Sequence, residues 1–252
     1  MGSGVLVTSL YLSLTPIARL VAHDVPPRLE AELGQGLSTI LARRYCDTEA
    51  ARRALAHLTV RLGGGADGEL HILDTDAVNA FTLPGGAVIV TRGLLDQARG
   101  PDEVAGVLAH ELEHVRLRHV MIRVVRSSIM TALWHATLGD YAGLLVIDPK
   151  TALDVTNLRF SRDDERAADR GALDRLAAGH ISADGFALFF ERLRAKSDVV
   201  PAWISSHPAS AERLAHIRDS GTTSAGATRP ALDDTEWRSL QESARANRTK
   251  RL

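Results

Sequence analysis

Pro101-Asp102-Glu103-Val104-Ala105-Gly106-Val107-Leu108-Ala109-His110-Glu111-Leu112-Glu113-His114-Val115-Arg116-Leu117-Arg118-His119 is the stretch on which the fold turns. Val104, Val107, Leu108, Leu112 and Val115 are spaced 3, 1, 4 and 3 apart, the apolar stripe of a helix. Pro101 suits the first turn, and Asp102 and Glu103 place negative charge at the positive end of the helix dipole. Arg116, Arg118 and His119 fall towards the negative end. Residues four apart in a helix stand one above the other, so His110 and His114 aim two imidazoles at one point. Two neutral imidazoles at that separation suit a zinc ion, and Glu111 beside them can take a proton from water activated by the metal. The competing reading is a coincidental His-Glu-x-x-His on the charged side of an amphipathic helix; a third ligand elsewhere in the chain decides against it.

The 252 residues leave ample length for a core, as one large domain or two small ones. A hydrophobic share of 45% and a charged share of 24% are those of an ordinary globular protein. A formal net charge of -1 and no gathered Lys/Arg patch argue against a nucleic-acid-binding role. Aromatics are only 4%, so Leu, Val and Ala must build most of the core. Cys46 is the single cysteine, which rules out an internal disulfide and a cysteine-based zinc site. It reads as a small buried hydrophobe.

In chain order, residues 1–4 have the look of an expression remnant, and residues 5–14 form an apolar run broken by Thr8, Ser9 and Ser13. That run is shorter than the roughly 20 residues that span a bilayer. It is either the remnant of a membrane anchor or signal, or a core-docking helix. Residues 29–44 and 48–58 read as helices. Residues 58–62, 70–73 and 87–91 read as short strands, with Gly63-Gly64-Gly65 as a turn region. His71 lies in a strand pattern without metal spacing and reads as structural. Residues 120–158 extend the active helix, form a lid, touch a membrane surface or pack on the core; Arg123, Arg126, Ser127 and Ser128 exclude a transmembrane helix.

Ser161 reads as an N-cap with Asp164 at the capping-box position, opening a helix that runs to Ala178 and stops at Gly179. Glu165 and Asp169 are four apart and share one face. Glu165 completes a His-His-Glu zinc site with an open fourth position, and Asp169 accepts the N–H of a ligating imidazole. A solvated acidic face among Arg162, Arg166 and Arg170 is the bland alternative.

Four ordered blocks over residues 26–219 carry a resemblance to a known family: Asn79-Ala80-Phe81-Thr82-Leu83-Pro84-Gly85-Gly86, the His110–His114 block with Arg118-His119, the Ser161–Asp169 block, and Ser206-His207-Pro208 with Glu212-Arg213. The chain resembles the membrane-associated gluzincin peptidases (metallopeptidase family forty-eight) that include the bacterial heat-shock protease HtpX and the CaaX prenyl endopeptidases. The resemblance implies a zinc endopeptidase acting on unfolded, misassembled or membrane-associated proteins. In it His110, His114 and Glu165 match the zinc ligands, Glu111 the general base and Asp169 the residue behind a ligating imidazole. Asn79 and Ala80 match the edge strand that receives substrate backbone; His207 and Arg213 match a late block whose His approaches the active site. For His207 three roles stay open: donor to the oxyanion, occupant of the fourth zinc position in a latent state, or the start of the next helix. The multi-span membrane segments of those relatives are missing from this sequence, which favours the bacterial, soluble or singly anchored branch and a cell-envelope, possibly periplasmic, place.

The expectation is therefore a mainly helical α+β zincin with a small mixed sheet, holding one zinc ion. Residues 1–25 are expected as an N-terminal segment, 26–219 as the metallopeptidase domain, and 220–252 as a linker and tail containing a short helix near 232–246. Polypeptide substrates and a possible membrane association are implied, with the oligomeric state open. The rival classes are a latent or chaperone-like zinc module that binds unfolded proteins, and a helical structural domain without zinc.

Overall fold

The computed structural model describes residues 14–65, 69–138, 159–195, 201–208, 210–221 and 227–246, with backbone alone for 133–138, 220–221 and 246. Three helices come first: α1 (Thr15–Asp24), α2 (Pro27–Leu41) and α3 (Glu49–Arg61). The strands β1 (Leu70–Leu73), β2 (Ala80–Thr82) and β3 (Val88–Thr91) follow, then α4 (Arg92–Gln97), α5 (Pro101–Arg116) and α6 (His119–Leu138). The chain closes with α7 (Arg162–Ala178), α8 (Asp184–Ala195), α9 (Ala202–Ser206), α10 (Ala211–Gly221) and α11 (Asp234–Ala246). This is the mainly helical architecture with one small mixed sheet that the sequence leads one to expect.

The sheet has the order β1-β3-β2, with β1 parallel and β2 antiparallel to the central β3. Side chains alternate across it, as the period of two requires. Leu70, Ile72, Ala80, Val88 and Val90 join the main core with α3, α5 and α8, whereas Leu73 and Ile89 join Leu37 and Leu41 of α2. A third cluster, Ala18, Ala22, Met121 and Val125, pairs α1 with α6.

Helix α5 is the centre. Every residue from 103 to 114 is buried, and α7 and α8 are its most extensive neighbours. Gly106 permits the crossing with α8: a Cβ there would stand 2.2 Å from the Phe186 Cβ. Helix α7 starts as its sequence foretells, on a capping box in which Ser161 and Asp164 exchange side-chain-to-backbone hydrogen bonds, and ends at Gly179.

Two expectations need correction. Residues 58–62 are not a strand but the last turn of α3 and its cap. Ala51, Ala54, Leu55, Leu58, Thr59 and Leu62 are all buried at helical spacing while Val60 is exposed, so no period of two exists there. The glycines after it form a helix terminus rather than a hairpin turn: Gly63, at φ 67, and Gly64 donate to Val60 O and Thr59 O. Second, α5 does not run on to 119. It stops at Arg116, Arg118 takes φ 53, and α6 begins at His119. Residues 120–138 are thus a separate helix packed on α1, not an extension of the active one; 139–158 lie outside the described residues, as do the side chains of Trp134 and Tyr141. The short helix expected near 232–246 is present as α11, which packs on α3 and α4; Leu232, just before it, and Leu240 and Ala244 within it lie in the main core. Among the described residues no helix is long and apolar enough to cross a membrane.

Candidate metal centre

His110, His114, Glu165 and His207 offer ligand atoms that all lie within 4.8 Å of one another, and all four are buried. Helix α5 supplies the two histidines four residues apart, α7 supplies Glu165, and His207 caps the C-terminus of α9 through its N–H to Trp203 O. The His110 and His114 Nε2 atoms are 3.0 Å apart, and the Glu165 oxygens stand 3.6 and 3.5 Å from them. His207 Nδ1 lies 2.9 Å from Glu165 Oε1 and 3.2 Å from His110 Nε2.

The polar partners behind this cluster assign its protons. Asp169, one helical turn beyond Glu165, places Oδ1 3.0 Å from His110 Nδ1. Burial opposes the charge on Asp169, but hydrogen bonds from Arg213 and His110 outweigh it and hold the carboxyl below its ordinary range. Arg213 on α10 grips both oxygens, Nε at 2.6 Å and Nη2 at 2.7 Å, and reaches Glu165 Oε2 and Pro208 O with Nη1. An ionised carboxylate only accepts, so His110 carries its proton on Nδ1 and presents the Nε2 lone pair inward. Burial pushes the His114 pKa well below normal, which keeps that imidazole neutral. For Glu165 burial is overcome by His207 and Arg213, and its pKa is held well below the usual carboxylate range. Two imidazole lone pairs and a carboxylate facing one point make an electron-rich pocket, and a cation is what such a donor set accommodates. The residues fit one zinc ion.

Glu111 is buried beside them, 1% exposed. Burial raises its pKa above the ordinary value. Its Oε1 accepts from the Trp203 indole Nε1 at 3.2 Å and lies 3.4 Å from His207 Nε2, while Oε2 is buried without a hydrogen-bond partner. Trp203 was not foreseen. Its backbone N–H bonds to Val78 O, next to the start of β2, so one residue ties the edge strand to the glutamate. Phe160, stacked on His114 at 3.9 Å, is likewise new. Neither carries a metal-ligand or acid–base signature, and both reach the site only through the packing of distant segments. Asn79 and Ala80 do lie at the sheet edge: Ala80 pairs with Val90, and the buried Asn79 leaves its Oδ1 unpaired. His71 stays structural as expected, stacked on Tyr45 at 4.0 Å. Cys46 packs against the core with its thiol pushed up to about 11 by burial, which makes it unreactive.

The profile described as Peptidase family M48 matches residues 48–220. Metalloprotease YcaL of Escherichia coli (strain K12) is 31% identical over 175 residues, covering 66% of this chain and 68% of that protein. Metalloprotease LoiP of the same organism is 32% identical over 191 residues, covering 69% and 71%. The mitochondrial metalloendopeptidase OMA1 of Bos taurus is 26% identical over 163 residues, covering 59% of this chain and 31% of its own length. The match spans the strands, α5, α7 and the His207–Arg213 segment, that is, every element that contributes to the cluster.

Proposed function

The chain belongs to peptidase family M48 and is a zinc-dependent endopeptidase; from that premise we propose that it cleaves unfolded or misassembled polypeptides of the bacterial cell envelope, with Glu111 as its base. The observation that carries the chemistry is the four-residue cluster with a buried carboxylate, Glu111, standing next to it. Zinc, held by His110, His114 and Glu165, supplies Lewis-acid polarisation of the scissile carbonyl and of water. Glu111 takes the proton of the attacking water on its unpaired Oε2 and hands it to the leaving nitrogen; the raised pKa that burial imposes suits a group that must do both. Asp169 fixes the His110 tautomer, and Arg213 holds Asp169 and Glu165 in register.

Substrate recognition is assigned to β2. An edge strand takes a partner by backbone pairing, which only an extended chain can offer, and this favours unfolded polypeptides over compact ones. Asn79, with its free Oδ1, and Ala80 lie at that edge. Envelope placement and membrane association rest on the family likeness and on α1, which exposes Ile17, Leu20 and Val21. The periplasm is the compartment proposed.

A second reading has a specific observation behind it. The catalytic glutamate is covered by Trp203, and His207 occupies the space where a fourth ligand or a substrate oxygen belongs. That is a latent state, in which the protein holds chains more than it cuts them. His207 then serves either as the stopper or, once displaced from Glu165, as a donor to the developing oxyanion. One experiment separates the readings: zinc-loaded protein and its Trp203→Phe variant are each given reduced, unfolded casein and a folded globular protein. Cleavage of casein alone by the parent supports the peptidase of unfolded chains. Cleavage confined to Trp203→Phe, which keeps an aromatic ring but removes the indole N–H on Glu111, supports latency. Equal cleavage of the folded protein contradicts the proposed substrate class.

A further inference from the structure

We infer that His119, backed by Asp164, is a positioning residue for the second zinc-binding histidine: it accepts the Nδ1–H of His114 and so turns the His114 Nε2 lone pair to the metal. The inference rests on the zinc-peptidase reading above and adds to it the partner of the His114 arm, which the Asp169–Arg213 pair does not serve.

In an unbroken helix, residues five apart point about 140° away from each other, so His119 could not face His114. The chain breaks that geometry. Helix α5 stops at Arg116, and Arg118 adopts φ 53, a conformation that a side-chain-bearing residue takes only where its surroundings hold it. Its guanidinium is held by His23 O and Val25 O at 3.1 and 3.0 Å, and by Glu30. With the turn fixed, His119 opens α6 with its ring folded back over the preceding helix. Its Nδ1 lies 3.0 Å from His114 Nδ1, and the ring is 6% exposed.

Two nitrogens at that separation share one proton, and Asp164 decides where it sits. Asp164 Oδ1 stands 3.5 Å from His119 Nε2 and also takes Arg19 Nη2 at 2.8 Å; its other oxygen accepts from the Ser161 hydroxyl at 2.7 Å in the capping box. The carboxylate is therefore anchored at the start of α7 and acts as an acceptor only. The carboxylate, 3.5 Å from Nε2, draws the ring's proton to that nitrogen. Nδ1 of His119 is then an acceptor and Nδ1 of His114 the donor. Stacking of Phe160 on His114 excludes water from the same face. The two ligating histidines are thus oriented by two separate acceptors on α7, five residues apart: Asp164 through His119, and Asp169 directly.

The test is zinc affinity, measured by competition with a chromophoric chelator, for the parent and for His119→Asn and His119→Leu, together with the melting temperature of each zinc-free protein. Asn places its amide oxygen where Nδ1 stands and should bind zinc nearly as the parent does. Leu fills the space without an acceptor and should bind about 10–100-fold more weakly, with the zinc-free melting temperature little changed. If His119→Leu does not fold, His119→Gln replaces it, since its oxygen reaches the Nε2 position instead; it too should bind weakly. Parent-like affinity in the Leu or Gln variant, or equal loss in all of them, overturns the inference. Failure of the parent itself to take up zinc would instead strike at the metal centre.

Discussion

Asp169 meets His110 with one oxygen and Arg213 with both, and Arg213 reaches on to Glu165. Removing its charge therefore loosens a ligand and frees a buried guanidinium at once. Asp169→Asn should weaken zinc binding about 10–100-fold. Glu165→Ala should go further and lose stoichiometric zinc on dialysis, as metal analysis of the purified variants will report. A Glu165→Ala protein that keeps one zinc per chain would move the third ligand to His207, which stands 3.2 Å from His110 Nε2. At this scale the sequence was readable where chemistry is local. His110 and His114 share a helix face by spacing alone, and Glu165 and Asp169 do the same. Trp203 and His119 were not, because the first arrives from 92 residues away and the second depends on a left-handed residue that no spacing rule anticipates.

Helix α5 can approach α8 only because residue 106 has no side chain. Gly106→Ala would add helix propensity worth about 1 kcal/mol, yet the new Cβ would stand 2.2 Å from Phe186 Cβ and 2.8 Å from its Cα. Backbone on the far side does not yield cheaply, so the net effect should be a loss of about 1–3 kcal/mol, seen as a lower melting temperature of the zinc-free protein. An unchanged or higher melting temperature would mean that the crossing is looser than these distances state. Elements with strong end signals were legible: Pro101 opens α5, and the Ser161–Asp164 box opens α7. Residues 58–62 misled because Leu58, Val60 and Leu62 alternate by chance, and only burial shows that Val60 faces solvent while Leu55, Leu58 and Leu62 face the core. Three glycines after such a run suit a hairpin and a helix terminus equally well.

Across the whole molecule, the sheet and α3, α5, α8, α10 and α11 share one core, with α2 and the α1–α6 pair each closing a smaller one. The inclusion of α11 was hidden because a stretch rich in Ser, Gly, Thr and Ala precedes it, and composition says nothing of where the chain returns to pack. The arrangement carries three active-site segments, α5, α7 and the α9–α10 corner, to one buried point. At that point the decisive issue is whether Glu111 moves the proton. The most direct measurement is a cleavage time course on unfolded casein, comparing the parent with Glu111→Gln at equal zinc occupancy. Glu111→Gln should retain zinc and lose about 10²–10⁴-fold or more in turnover. A zinc-loaded Glu111→Gln protein that cleaves at the parental rate would contradict the assignment of the base.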